Sequence, residues 1–130
     1  MNKRNWLIAL AFPVLFSCTS ARKVLTREYT VISYNVENLF DTEDDPKIPD
    51  EEFLPLSEKK WDNEKYQRKL NDIVRVITEV NPNELPEIVG LVEVENRQVL
   101  SDLIGTGKLV GQYGIIHEES PDYRGIDVAL

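Results

Sequence analysis

The carboxylate most out of place in this sequence is Glu93. It continues the apolar run "EIVGLVEV", residues 87–94, and by alternation shares a face with Val89 and Leu91. An ionised carboxylate in such a setting costs free energy unless it is paired or bound to a metal. Its place near the C-terminal end of a strand is where open α/β sheets put their ligands. Asn35 stands similarly near the end of an earlier run, "YTVISYNV", residues 29–36. An amide oxygen and a carboxylate are hard donors of the kind Mg²⁺ accepts, with water filling its other positions. A crossover that sets the two strands side by side would bring Asn35 and Glu93 to one edge. The residues alone leave two readings open: a metal site, or a strand-end Glu that reaches solvent.

The other groups able to do chemistry are few. His117, the sole histidine, closes the apolar stretch "YGIIH" just before the turn "EESPDYR", and reads as an edge-strand or loop residue. Arg124 lies in that turn, where it can meet a phosphate or pair with Asp122 or Glu119. Cys18 is the only cysteine, which excludes a disulfide framework. Residues 41–58 gather eight acids and three prolines without a period. They lack the spacing and central Gly of an EF-hand, and read as a solvated surface loop.

These residues need elements to position them. Residues 29–36 are β-branched and aromatic, as a strand is, with Val31, Ser33 and Asn35 on one face and Ile32, Tyr34 and Val36 on the other. From about Trp61 to Val80, the residues Tyr66, Leu70, Ile73, Val74, Ile77 and Val80 make one apolar stripe of a helix, with Lys65, Arg68 and Lys69 among the residues on its polar side. Asn81-Pro82-Asn83 ends it. Residues 87–94 form a buried strand, and a second helix spans about Arg97 to Ile104 with Gly105 as its cap. Residues 113–117 and 125–130 read as two further strands. This order predicts an α/β or α+β layer fold.

Length and charge set the frame. A chain of 130 residues is one domain's worth. Its net charge of −8, with 23 acidic against 15 basic residues, argues against a broad basic face for nucleic acid. An acidic chain can instead hold a cation that supplies the charge a phosphate needs. Lys3 and Arg4 precede the apolar stretch "WLIALAFPVLF", which is shorter than the about 20 residues a membrane span needs and suits an export signal. The "LFSC" that follows resembles a bacterial lipobox. That resemblance implies a signal peptide over residues 1–17, a lipid on Cys18, a tether over 18–28, and an exported, membrane-anchored lipoprotein on the periplasmic or cell-surface side. The chain stops inside "RGIDVAL", an apolar run without a polar cap. Termini usually lie at the surface, so residues 29–130 are expected to be the truncated N-terminal part of a longer domain.

The stretches "ISYNVENLFD", "GLVEVEN" and "SPDYRGIDVAL", in this order, resemble the endonuclease/exonuclease/phosphatase superfamily, the fold of exonuclease III and pancreatic deoxyribonuclease. The likeness covers residues 29–130 and is greatest to secreted and lipoprotein bacterial members. It implies a four-layer sandwich of two mixed β-sheets flanked by helices, only part of which these residues supply. It also implies a Mg²⁺ or Mn²⁺ site at one edge of the sheets. Asn35 matches the family's Asn after the first strand, and Glu93 the Glu of its "LQE" motif, with Val92 in place of Gln. Glu37 falls where some members place a second acidic ligand. Arg124 and Asp127 fall in the segment near the substrate groove, as phosphate-contacting or site-supporting residues. The implied reaction is metal-dependent hydrolysis of a phosphate ester, by in-line attack of an activated water. The substrate class spans DNA, RNA, phospholipids, inositol phosphates and nucleotides. The family's late catalytic His and its "GDFN"-like motif have no match in residues 1–130, and His117 does not fall at that position. Hydrolysis is therefore expected of the full-length protein and not of these residues alone. The rival expectation is a surface lipoprotein that keeps the fold as a non-catalytic binding module.

Overall fold

The computed structural model describes residues 27–130. The export signal, Cys18 and all but the last two residues of the expected tether lie outside the described residues.

The longest element is the helix α1, Asn63–Glu79. Asp62 starts it, its side chain accepting from the Lys65 N–H at 3.0 Å and satisfying one of the orphan donors of the first turn. Tyr66, Leu70, Ile73, Val74 and Ile77 are buried, as the stripe predicts. Val80 is not: the helix has ended, and that residue is 49% exposed. A second helix, α2, spans Arg97–Ile104. Its cap is Asn96, whose side chain accepts from the Val99 N–H at 3.0 Å.

Four strands form one mixed sheet: β1 (Val31–Leu39), β2 (Ile88–Val94), β3 (His117–Glu118) and β4 (Asp127–Ala129), in the order β1-β2-β4-β3. β1 and β2 run parallel, joined through α1, while β4 is antiparallel to both of its neighbours. β3 is shorter than the run 113–117 suggests, although Ile116 and Leu130 still exchange both backbone hydrogen bonds beyond it. Among the described residues there is this one sheet and not the pair of sheets that the resemblance implies. The two helices cover one of its faces, and Val36, Leu39, Leu91, Val94 and Ala129 meet the helix stripes there in a continuous core. The opposite face leaves Val31, Ile88, Val92 and Val128 exposed.

A smaller apolar cluster lies beyond the end of β1. Phe40 and Phe53 stack with ring centroids 4.2 Å apart, and Trp61 meets Phe53 edge-on. Ile126 and Ile48 complete it. Gly125 lets the 120s turn pass against Ile48: its φ is +66°, and a Cβ there would come within 2.5 Å of the Ile48 side chain. The loop 41–58 is thus not simply solvated. Phe53 is buried within a single 3-10 turn, Glu51–Phe53, and Asp50 is fully enclosed. The Asp50 Oδ2 accepts from the Asp45 N–H, its Oδ1 has no partner among the described residues, and burial pushes its carboxyl upward.

Leu70 lies at the centre of the α1 stripe. Leu70→Ala is expected to lower unfolding free energy by about 2–5 kcal/mol, and Val80→Ala to stay within about 0.5 kcal/mol. Urea denaturation of the two variants checks the difference.

Candidate functional site

Asn35 and Glu93 lie where the sheet loses its register. Asn35 pairs with Val92 and Leu39 with Val94, so three residues of β1 face the single residue Glu93 of β2. On the other side Val92 pairs with Val128 and Val94 with Asp127, and Glu93 is again unpaired. Three non-glycine residues at this break are left-handed: Glu37 (φ 55°), Asn38 (φ 62°) and Glu93 (φ 66°). Asn tolerates that region, but each Glu there is strained. The bulge corrects the expected facing of Glu93. Strict alternation sets it on the core face with Leu91, whereas the break shifts the phase. Val94 turns inward to 0% exposure, and Glu93 swings to the rim.

A chain of hydrogen bonds holds this geometry. The Asn35 Nδ2 donates to Glu93 Oε1 at 2.9 Å, and the Asn35 Oδ1 accepts from the Glu37 N–H at 2.7 Å. These two partners fix which way the amide points, because one can only donate and the other accepts. The Lys69 ammonium donates to the Glu37 carbonyl at 2.6 Å, which ties the left-handed turn to α1. Lys69 is half-buried, 5.9 Å from the centre of the Trp61 ring. Burial pushes its ammonium below the usual lysine range, while the nearby Glu37 and Glu93 carboxylates act the other way. It does not belong to the solvated side of the helix. It stands three residues after Tyr66 and four before Ile73, a spacing that puts it on the edge of the apolar stripe.

The remaining residues divide. The Glu37 carboxylate is exposed at the rim and makes no hydrogen bond among the described residues. Arg124 closes its fork on Asp122, with Nε to Oδ1 at 3.1 Å and Nη2 to Oδ2 at 2.7 Å. It senses Glu93 electrostatically without touching it. Those bonds from Arg124 hold the Asp122 carboxyl down to about 2. Asp127 is buried and accepts from the Ser120 N–H, and its Oδ2 lies 2.9 Å from His117 Nε2. His117 is therefore the edge-strand residue expected, with its side chain enclosed against β4. Glu119 can approach this pair closely enough for the three side chains to share a cation, but the direct His117–Asp127 contact already satisfies the two buried members.

Glu95 was hidden in the run "VEVEN". It is 5% exposed, and its Oε2 accepts from the Asp41 N–H at 2.7 Å. Burial pushes its carboxyl up to about 7, and the charges of Asp41, Asp50 and Asp45 add to the rise. Asn96 links the same segments by donating to Asp41 Oδ2 at 3.1 Å.

Residues 30–130 match the model of the endonuclease/exonuclease/phosphatase family, and the chain belongs to that family. No curated protein matches the chain, and no solved structure does. Membership places the chain among hydrolases of phosphate esters, of nuclease and phosphatase type, which typically depend on a divalent metal.

Glu95 gives this region a pH dependence whose sign follows from its environment. Its folded value of about 7 lies above the ordinary 4.5, so the fold favours the neutral acid. That stabilisation is complete below about pH 4.5, falls as pH rises, and is lost once pH passes about 7, a loss of at most roughly 3 kcal/mol. Glu95→Gln, which keeps an acceptor for the Asp41 N–H, is expected to flatten this slope. Melting temperatures in EDTA from pH 4 to 8, native against variant, measure it, and parallel curves would refute the assignment.

Proposed function

We propose that the full-length protein hydrolyses phosphate esters with Mg²⁺ or Mn²⁺ held by Glu93 and Asn35, Glu37 adding a carboxylate at the rim. The observation that carries this reading is the Asn35–Glu93 hydrogen bond at a break in both ladders around Glu93. The donor set suits a hard cation. The Asn35 Oδ1 has accepted only one hydrogen bond, and Glu93 Oε2 has no protein donor among the described residues. A bound cation would polarise a phosphoryl oxygen and stabilise the leaving group. The chain's own residues prepare for that. Asn35 orients Glu93, Glu37 keeps Asn35 in place through its N–H, and Lys69 adds positive charge beside two carboxylates. Arg124 and Asp127 make no hydrogen bond to Asn35, Glu37 or Glu93 among the described residues: Arg124 pairs with Asp122, and Asp127 of β4 with His117. No general base is assigned within the described residues: the His117 side chain is enclosed, 5% exposed. A non-catalytic binding module on the same fold is the second reading. Residues 1–18 support export and anchoring through a lipid on Cys18, and no helix among the described residues is long and apolar enough to cross a membrane. Substrates of nucleic-acid, lipid or small phosphate-ester type are all compatible with this site.

The test is hydrolysis of bis(p-nitrophenyl) phosphate by the full-length protein with Mg²⁺. EDTA is expected to abolish turnover, Glu93→Ala to lower kcat/KM by about 100-fold or more, and Asn35→Ala by about 10–100-fold. Undiminished activity of the Glu93 variant would remove it from the site, and an inert native protein would favour the binding module.

A further inference from the structure

We propose that Lys69 is a phosphate-binding residue of this site, and that the cleft between β1 and the first half of α1 seats the phosphate it holds. This rests on the reading of Glu93 and Asn35 as the cation site, and extends it to the recognition of the anion. The cleft measures about 350 Å³ and is lined by Tyr34, Glu37, Trp61, Lys65 and Lys69 among others. Lys69 lines it from the edge of the apolar stripe and is half-buried. One of its three N–H groups bonds the Glu37 carbonyl. Among the described residues no carboxylate lies within ion-pair distance of it, although those of Glu37 and Glu93 are close enough to act on its charge. It therefore keeps donors available to a phosphoryl oxygen seated in this cleft.

The two guanidinium groups nearby are engaged by carboxylates. Arg124 is forked onto Asp122, and Arg68 pairs with Glu64 at 2.7 Å. Lys65, like Lys69, bonds a backbone carbonyl, that of Lys59 at 2.5 Å, but it is exposed where Lys69 is half-buried. In a chain where acids outnumber bases, a half-buried cation without a carboxylate partner is an unusual placement. The ligand class is a phosphate monoester or diester, or free phosphate, recognised through non-bridging oxygens by a compact charge.

Two roles for Lys69 predict opposite metal responses. If it only holds the Glu37 carbonyl, its removal loosens Asn35 and Glu93, and cation affinity falls. If it faces the phosphate, its removal takes a positive charge from beside two carboxylates, and cation affinity holds or rises. The experiment titrates Mn²⁺ into the full-length protein by calorimetry, then inorganic phosphate with and without Mn²⁺. The proteins are native, Lys69→Met, Lys69→Gln and Glu93→Gln, and the Lys69 variant melting nearer to native is used. The expected result is a loss of phosphate affinity of about tenfold or more, with Mn²⁺ binding equal or tighter. Unchanged phosphate affinity overturns the proposal, as does a parallel loss of Mn²⁺ and phosphate binding, or a native protein that binds Mn²⁺ but no phosphate. If Glu93→Gln leaves Mn²⁺ binding intact, the cation reading fails separately. The metal-free phosphate titration then decides for Lys69 alone, a tenfold loss supporting it and no loss refuting it.

Discussion

The hydrogen bond from Asn35 to Glu93 joins two strands at the point where both leave their ladder. Left-handed non-glycine residues cost on the order of 1–3 kcal/mol each and persist where their surroundings over-determine them. Here the surroundings are the fully buried Leu39 and Val94, paired just past the break, and the Glu95 N–H donating to the Leu39 carbonyl at 3.0 Å. The core therefore resumes immediately beyond the irregularity. Glu37 and Glu93 can be strained because the residues just past them are packed in the core. The bulge re-aims the carboxylate without loosening the sheet.

A second set of ties holds the chain just after each strand. Beyond β1, Asp41 donates its N–H to Glu95; beyond β2, Asn96 donates its side-chain N–H to Asp41, and its side-chain oxygen accepts from the Val99 N–H in the first turn of α2. The stacked Phe40 and Phe53 press the same segment onto Trp61, whose Nε1 donates to the Phe40 carbonyl. Trp61 in turn lies beside Lys69. Apolar packing and polar bonds thus converge on the strand ends from opposite sides. The rim residues stand on this rigid base, which suits groups that must hold a fixed geometry toward a ligand.

The elements were legible where one period ran undisturbed. The α1 stripe, the parallel pairing of β1 with β2 and the nearness of Asn35 to Glu93 all follow from periodicity and a crossover. The family expectation covers the same residues and agrees with them. What was not legible depends on broken periods and cross-chain register. Glu93 looks like a core-face residue until the bulge shifts its phase. Asp127 meets His117 diagonally across an antiparallel pair whose register no local signal sets. Asp50 and Phe53 are enclosed because a loop without any period folds over Phe40. Lys69 was readable at helix spacing, but its charge made the polar side the natural assignment. The second sheet of the expected sandwich is not among the described residues, nor is any part of the lipobox.

On the proposed reading, the charges at the site let so acidic a chain address an anion. Glu37 and Glu93 make the rim negative, a setting that would favour a divalent cation over phosphate. A bound cation reverses that local sign. The two basic residues nearby differ in what they can then contribute. Arg124 is largely cancelled by Asp122, whose carboxyl it holds down to about 2, so at neutral pH the pair acts as a dipole near Glu93. Lys69 has no carboxylate in contact, although Glu37 and Glu93 act on its charge, and it is partly desolvated. Arginine's planar fork would suit phosphate better in isolation. In this arrangement the partner decides: the guanidinium is already occupied, and the ammonium keeps donors to offer. On that reading, recognition of the anion depends less on which basic side chain is present than on which one the fold half-buries without a carboxylate in contact.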